Sequence, residues 1–329
     1  MRQSFFIRAL RWLWRKFKPA FEEWLSAVRS YGVHFKYSFN DAKENQDLVR
    51  LKYQLVKHAH IVEKGMALPE PRYAFGQPKI RKIISLAVLY ESLGGDDVSG
   101  MVRDVIKEYR RFNERKEEMF EPGLIKQIDD FIAGASKGER GGVKPLKRSQ
   151  WEGYSLDDFD RFISFRHSVR DFDDQPVDPD FLKSVVAASL KTPSVCNRQG
   201  WFVHCYEGKG KINRLLSYQN GNAGFSQCID KLLVVTGNIK AFTRHEHNQL
   251  FVDGGLVSMN LMLAIHSAGL GACPLNTCMP YHKEKQVLKE GGMSSNERLI
   301  MMIAVGNLKD EFVVATSEKY KLEKVLVWH

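Results

Sequence analysis

The sequence has few cysteines and no pattern that would pair them. Its 329 residues include five cysteines, an odd number, and no CxxC occurs. A disulfide framework and a zinc site both need cysteines at regular short spacing, so neither is expected. Because disulfides are rare in reducing compartments, we place the chain in the cytoplasm.

Long uninterrupted apolar runs are also missing. No stretch approaches the roughly 20 apolar residues that cross a bilayer. The N-terminus does not read as a signal peptide, because Arg8, Arg11 and Arg15 interrupt its apolar stretch. Hydrophobic residues make up 43% of the chain and charged residues 27%, which is typical of a globular protein that buries a core without staples.

Acidic residues are in deficit. Lysine and arginine number 49 against 39 aspartates and glutamates, for a net charge of +10. This excess predicts an anionic partner, such as nucleic acid, a lipid surface or a phosphorylated ligand. No RNP-like motif accompanies it, so we expect no nucleic-acid binding.

The first 30 residues carry an amphipathic helix pattern. Apolar residues follow three- and four-residue steps, while arginine and lysine fill the other face. We expect Pro19 to kink or split this helix. Two interpretations stay open: a helix docked on its own protein or a partner subunit, or one lying peripherally in the lipid interface at the inner face of the cell membrane.

Composition divides the chain into a helical N-terminal extension, residues 1–150, and a second domain, residues 151–329. The boundary falls in a stretch rich in Gly, Lys and Arg at 134–150. Predicted helices of the first part span 41–66, 79–93, 97–117 and 122–133. The second part has predicted helices at 156–165, 178–191 and 251–268 and strands at 201–207, 231–237 and 299–306. This order favours an α+β fold.

The stretch "RHSVRDF" (166–172) places three polar side chains at a spacing of two. If it is extended, Arg166, Ser168 and Arg170 project to one side. Guanidinium groups offer forked donors that suit phosphate. The alternative is a surface loop with scattered charges.

The stretch "TPSVCNRQGWFV" (192–203) presents two amides, Asn197 and Gln199, just before a strand. An amide both donates and accepts, so it can bind a heterocycle edge that alternates C=O and N–H, such as the flavin pyrimidine ring. The alternative is a capped loop whose amides bond their own backbone.

A third stretch, "VDGGLVSMNLMLAIHSAGLGACPLN" (252–276), predicts a helix that is apolar nearly all round and therefore buried. Its small residues Gly254, Gly255 and Ser258 would permit close approach of another helix. We expect a turn at Cys273–Pro274. Lysines at 317–326, after a last strand, could reach a phosphate.

In this order, the four motifs resemble the nitroreductase family of FMN-dependent oxidoreductases over residues 158–326. The resemblance implies a mixed or antiparallel sheet flanked by helices, with an additional N-terminal helical region. It implies that Arg166 and Ser168, with His167 adjacent, hold the FMN phosphate and ribityl chain. Arg170 would lie by flavin N1 and the C2 carbonyl, where a cation stabilises the charge that follows hydride uptake.

The resemblance also assigns the remaining cofactor contacts. Ser194, Asn197 and Gln199 would bond the pyrimidine edge and the ribityl hydroxyls. The backbone of Pro274, Leu275, Asn276 and Thr277 would pass near flavin N5. Lys319, or Lys321 as second choice, would bind the phosphate. No metal is expected, and no catalytic acid is assigned because the acidic residue common in the family near Asn276 is missing.

Family members are typically homodimers with FMN at the subunit interface, and the helix at 253–268 would be the central contact. The resemblance implies that NAD(P)H reduces the flavin and a small organic acceptor is then reduced, in a ping-pong sequence. Residues 60–79 resemble an extension of members associated with bacterial surface-polysaccharide biosynthesis. The alternatives are an FMN-dependent dehydrogenase or oxidase of a biosynthetic intermediate without nicotinamide, and a non-catalytic scaffold of a polysaccharide assembly complex.

Overall fold

The computed structural model describes residues 2–39, 47–133, 140–151, 153 and 155–329, and only the backbone of 2–16 and 151. Five helices come first along the chain. They are α1 (Arg2–Tyr37), α2 (Leu48–Met66), α3 (Gln77–Ser92), α4 (Val98–Phe112) and α5 (Leu124–Ile132).

Helices α2 to α5 form a bundle around one apolar core. Asp47 caps α2 by accepting hydrogen bonds from the backbone N–H groups of Val49 and Arg50, both at 3.1 Å. Pro78 occupies the first turn of α3, where its missing N–H costs nothing. Among the described residues, the buried side chains of this core come from residues 51–131.

The rest of the chain builds a four-stranded antiparallel sheet of order β1-β2-β4-β3. The strands are β1 (Trp201–Glu207), β2 (Lys231–Asn238), β3 (Leu270–Leu275) and β4 (Glu297–Asn307), and the helices are α6 (Leu156–Ser164), α7 (Pro179–Ser189), α8 (Lys209–Leu216), α9 (Gln249–Ser267) and α10 (Tyr281–Gly291). The predicted α+β fold with an antiparallel sheet and an N-terminal helical region is confirmed.

Strand β2 shows why both faces of the sheet are covered. Leu232 and Val234 enter the core shared with α8 and α10, while Leu233 and Val235 enter the core shared with α7 and α9. Side chains alternate along a strand, so a strand without polar interruption needs a helix layer on each face.

The N-terminal bundle joins this sheet domain through a small apolar cluster. Phe39 and Tyr53 pack with Phe242 and Leu250. The backbone N–H of Phe39 donates to the carbonyl of Phe242 at 3.0 Å. The loops at 195–197 and 239–241 therefore lie against α2.

Several predicted elements differ in the structure. α1 continues through Pro19, because a long helix tolerates one missing hydrogen bond. The helix is therefore not split there, and the kink that was the other expectation stays a prediction. The predicted start of α2 at 41 falls partly on residues outside the described ranges, and the described helix begins at Leu48. α4 ends at Phe112 and is followed by a 3₁₀ turn at 114–119.

The predicted turn at Cys273–Pro274 is also wrong, because both residues belong to β3. The carbonyl of Ala272 accepts from the Val169 N–H at 2.9 Å, on the side away from β4. Pro274, two residues further along, has its backbone nitrogen on that same outer side, where β4 needs no donor.

Helix α9 is apolar enough and long enough to cross a membrane by length and composition alone. One side of it is buried against the sheet, through Val257, Leu261 and Ile265. A core helix of a globular domain passes the same test, so this is weak support for a span.

Candidate functional site

The segment 166–172 lies along the outer side of β3. Ser168 pairs with Ala272 in a parallel bridge. Val169 is buried in the core, whereas Ser168 is half-buried and Arg170 exposed. The predicted alternation is therefore present, and Arg166, Ser168 and Arg170 run beside the strand that leads to Pro274.

The cations of this segment are not neutralised by carboxylates. In the described part of the chain, neither Arg166 nor Arg170 forms an ion pair. Within the described residues, Arg170 donates one hydrogen bond, to the Ser168 carbonyl at 3.4 Å. Asp171, the carboxylate of the segment, is occupied by Lys309 at 2.6 Å. Two guanidinium groups on one edge thus remain to bind an anion.

Arg170 lies close to the end of β3. Burial raises the pKa of the Cys273 thiol, and the positive charge of Arg170 opposes that rise. The strand then continues into Leu275, which is buried in the core, and Asn276, which is exposed. Only the backbone of Leu275 is available to a ligand.

The predicted N5 segment carries no free acid. The side-chain carbonyl oxygen of Asn276 accepts from the backbone N–H of Cys278 at 3.0 Å, and the Thr277 hydroxyl donates to the Ile300 carbonyl at 3.0 Å. The nearest following carboxylate, Glu284, is buried and held by Arg298 at 2.7 and 3.0 Å. The expectation that no catalytic acid lies here stays a prediction.

The loop 194–199 holds its amides outward. Asn197 and Gln199 are exposed, whereas Arg198 between them is buried. Cys196, Asn197 and Gln199 have φ of +49°, +51° and +49°. Non-glycine residues rarely adopt this left-handed conformation, and such strain concentrates at functional sites.

Local hydrogen bonds fix this conformation. The Ser194 hydroxyl accepts from the Gln199 N–H at 2.9 Å, so its own role is partly structural. The Gln199 amide donates weakly to the Asn197 side-chain oxygen at 3.3 Å. The amides therefore keep most of their capacity for a ligand.

Arg198 is the residue of this loop that sequence reasoning missed. Its side chain is fully buried and donates to Glu246 at 2.8 and 2.7 Å. Its guanidinium also lies over the rings of Phe39 and Phe242. Burial alone would raise the pKa of Glu246, but hydrogen bonds from Arg198 and Thr243 outweigh it and hold that pKa at about 2.

The start of α9 supports the same loop. The Asp253 carboxylate accepts from the Val195 N–H at 3.2 Å and from the Gln249 amide at 2.8 Å. Burial raises the pKa of Asp253. Asp253 stands near the start of the helix predicted at 251–268, but this position alone does not reveal its partner.

Within one protomer the two clusters lie on opposite edges of the sheet. The loop 194–199 leads into β1, and the segment 166–172 flanks β3. Four strand spacings separate them, roughly 19 Å. Arg170 and Asn197 are both expected at one pyrimidine edge, so a single protomer cannot supply both.

The prediction that α9 is buried all round is wrong. Val252, Leu256 and Met259 are 52%, 45% and 39% exposed and share one face. The small residue Gly254 faces the sheet instead, because an added Cβ would lie 2.0 Å from Ile300 Cδ1. Solvent therefore meets an apolar stripe that another chain can cover.

Lys319 and Lys321 lie on a C-terminal tail in which every residue from 315 onward is exposed. In the described chain, no hydrogen bond or ion pair joins either lysine to the segment 166–172. Their predicted role in phosphate binding stays a prediction. His167 lies in that segment, and its Nδ1 is 3.0 Å from the Phe165 carbonyl.

Residues 163–227 and 231–307 match the model of the nitroreductase family. This part of the chain is therefore similar to the nitroreductase family, as its motifs predicted. The match begins just before Arg166 and ends with β4, so it contains both clusters and leaves α1 to α5 outside.

Solved structures are similar to the same half of the chain. An FMN-dependent nitroreductase from Clostridium difficile is 19% identical, with 50% of this chain and 96% of its own covered, at a TM-score of 0.44. A nitroreductase family protein from Streptococcus pneumoniae is 17% identical, with 52% and 100% covered and a TM-score of 0.45. A protein from Desulfovibrio desulfuricans, described as a nitroreductase in complex with FMN, is 17% identical, with 51% and 95% covered and a TM-score of 0.45. Similarity at this level does not bear on activity.

The donor set of the two clusters fits FMN. Unpaired guanidinium groups and a hydroxyl along β3 suit a phosphate and a ring carbonyl. Two outward amides on a strained loop suit the alternating donors and acceptors of the pyrimidine ring. These two sets of donors lie on opposite edges of the sheet.

Proposed function

We propose that the protein is an FMN-dependent oxidoreductase that works as a homodimer, with NAD(P)H as reductant and a small organic molecule as acceptor. The observation that carries the proposal is the pair of unneutralised arginines beside β3, in a domain similar to the nitroreductase family. When bound, FMN supplies the hydride chemistry.

Arg166 and Ser168 would bind the phosphate and ribityl chain. Arg170, nearest to the Pro274 end of the strand, would face N1 and the C2 carbonyl. A fixed guanidinium at that position stabilises negative charge in the pyrimidine ring. The cluster thus both anchors the cofactor and favours its reduced form.

Asn197 and Gln199 of the second protomer would bond the pyrimidine edge. The buried Arg198–Glu246 pair keeps the loop backbone in its left-handed conformation, so the amides are positioned before the ligand arrives. Ser194 would contribute through the loop rather than as a free hydroxyl, because it already accepts from Gln199.

The exposed stripe of α9 supports the dimer. Val252, Leu256 and Met259 offer an apolar face that a second copy of α9 can cover. A twofold contact of this kind is self-complementary, so each protomer meets the same surface on the other. It would bring the β1 edge of one protomer towards the β3 edge of its partner.

The backbone from Pro274 to Thr277 would pass beside N5 and leave room for the reductant and the acceptor in turn. Since Asn276 and Thr277 are engaged with backbone groups and Glu284 with Arg298, this segment would shape the site without transferring a proton. The proton that the acceptor needs would come from solvent.

The absorbance spectrum of the purified protein tests the proposal. A flavin spectrum is expected, and heat should release FMN that chromatography identifies. Anaerobic mixing with NADH and with NADPH should then bleach the flavin band. Colourless protein that takes up no FMN would overturn the proposal and favour a scaffold.

Bleaching by an organic donor, with none by either nicotinamide, would overturn the NAD(P)H part and favour a dehydrogenase or oxidase. We also propose a role in surface-polysaccharide biosynthesis. Its support is the resemblance of residues 60–79, from the end of α2 to the start of α3, to an extension of family members associated with that process. Comparing the surface polysaccharide of cells that lack the gene with that of cells carrying the restored gene tests this role, and identical polysaccharide would contradict it.

A further inference from the structure

Helix α1 presents its apolar face to solvent. In the part of α1 whose side chains the structure describes, from residue 17 onward, large apolar side chains are spaced four and three residues apart. Each of them is 48–64% exposed. We call them the α1 stripe: Phe17, Phe21, Trp24, Val28, Tyr31 and Phe35. A surface helix normally turns such a face to the protein core.

The face that α1 turns to the protein is held mainly by polar side chains, with Val33 half-buried beside them against the apolar cluster of Phe39 and Phe242. The Ser26 hydroxyl accepts from the Tyr281 N–H at 2.9 Å, and the Ser30 hydroxyl accepts from Arg298 at 2.8 Å. His34 is buried and its Nε2 lies 3.0 Å from the Thr243 carbonyl. At 100° per residue, this face points about 140° away from the α1 stripe.

Because α1 is held by its polar side, the orientation of the stripe is fixed by hydrogen bonds to the sheet domain. Rotation that buried the stripe would break the contacts of Ser26, Ser30 and His34. The fold therefore fixes the α1 stripe in an exposed position, and an apolar face of this kind marks a site where a protein or a membrane binds.

The charge around the α1 stripe indicates what binds it. Residues 1–37 contain eight lysines and arginines and two glutamates, a net +6 out of the +10 of the whole chain. Lys18, Arg29 and Lys36 fall along one border of the stripe on the helix. At its C-terminal end the guanidinium of Arg244 lies 4.0 Å from the ring centroid of Phe35.

The side chains of the stripe favour lipid over a second α1. Five of the six are aromatic, whereas the seam of a coiled coil is built from Leu, Ile and Val. Aromatic rings, Trp and Tyr above all, lie favourably at the level of lipid headgroups. Lysine and arginine beside them attract anionic lipids.

We propose that α1 lies on an anionic membrane surface, with the α1 stripe inserted at the headgroup level and its basic border against the lipid phosphates. The hydrogen bonds of Ser26, Ser30 and His34 on the opposite face of α1 then connect the sheet domain to the membrane-bound helix. This inference does not depend on the bound cofactor or on the reaction.

Vesicle flotation of the full-length protein tests it. Binding is expected to vesicles of phosphatidylcholine mixed with phosphatidylglycerol, to be weaker to phosphatidylcholine alone, and to weaken as salt is raised. Trp24→Glu should lower binding to the mixed vesicles roughly tenfold or more, because a carboxylate cannot enter the interface beside anionic lipid.

Leu68→Glu is the matched control, since Leu68 is 57% exposed in the loop after α2. It should float like the wild type, and unfolding curves of both variants should match the wild type. Wild-type protein that stays with the unbound fraction, or a Trp24→Glu variant that floats unchanged, would overturn the proposal. Loss of self-association in the Trp24→Glu variant without lipid binding by the wild type would assign the stripe to a second copy instead.

Discussion

Arg170 is the residue whose charge the proposed reaction uses most directly. Arg170→Ala removes a hydrogen bond to a charged or polarised ligand, which is worth about 1.5–3 kcal/mol. The Kd for FMN should therefore rise roughly 10- to 100-fold, as measured by titration of the apoprotein.

Arg161→Ala is the matched control for that titration. The Arg161 side chain is 75% exposed and pairs with Asp158 on its own helix. Its removal should leave the Kd for FMN unchanged. Equal loss of affinity in both variants would mean that general positive charge, and not the position of Arg170, binds the cofactor.

Glu246 makes stability depend on pH. Its pKa of about 2 in the folded protein lies below its ordinary value of 4.5. A depressed carboxyl pKa contributes stability above the unfolded value and loses it as pH falls through the folded value. The Arg198–Glu246 ion pair should therefore contribute up to about 3 kcal/mol to the free energy of unfolding at neutral pH. This contribution should be lost as the pH falls from 4.5 to 2.

Glu246→Gln measures that contribution. Denaturant unfolding should show the variant below the wild type at neutral pH, with the gap narrowing as pH falls below 4.5. Glu118→Gln, whose side chain is 69% exposed, should follow the wild type throughout. A gap for Glu246→Gln that stays constant down to the acid limit would contradict the pair's role.

At the scale of the element, α9 offers two adjacent glycines in opposite surroundings. A Cβ on Gly254 would lie 2.0 Å from Ile300 Cδ1, whereas nothing lies within 4 Å of one on Gly255. Gly254→Ala should destabilise the domain by about 1–3 kcal/mol through overpacking. Gly255→Ala should stabilise it by up to about 1 kcal/mol through helix propensity, and equal effects in denaturant unfolding would contradict the packing.

The outer face of α9 makes a separate prediction. Leu256→Glu places a charge in the proposed dimer contact, so sedimentation should show monomers, and the protein should lose FMN at the same time. Val88→Glu, at a position 53% exposed on α3, should stay dimeric with full FMN. A Leu256→Glu monomer that keeps its FMN would contradict a site shared between protomers.

The elements also show how far sequence alone reaches. β2 and β4 could be predicted because continuous apolar runs need cover on both faces, and β1 because aromatic and β-branched residues dominate it. β3 could not, since Gly271 and Pro274 resemble a turn, and only the position of the strand beside the segment 166–172 makes a proline harmless there. α9 was predicted as buried because its sequence does not distinguish a core from a subunit contact.

The candidate site divides in the same way. The alternation of Arg166, Ser168 and Arg170 is a local pattern, so it could be predicted from the sequence. The burial of Arg198 against Glu246, 48 positions away, depends on tertiary contacts and was not. Each cluster could be proposed from its residues, but the sheet order decides that they occupy opposite edges.

At the scale of the whole molecule, the proposed site holds one FMN between two protomers, by arginines of one and amides of the other. A heterodimer tests this most directly. One protomer carries Arg166→Ala and Arg170→Ala, the other Asn197→Ala and Gln199→Ala, and two different affinity tags isolate the mixed species after co-expression. Such a heterodimer has one site with every side chain intact and one that lacks all four.

The measurement is the FMN content per protomer. Each doubly substituted homodimer should hold little FMN, because both of its sites are damaged. The heterodimer should hold about half the FMN of the wild type, since one of its two sites is restored. A heterodimer as empty as its parents would contradict the shared site.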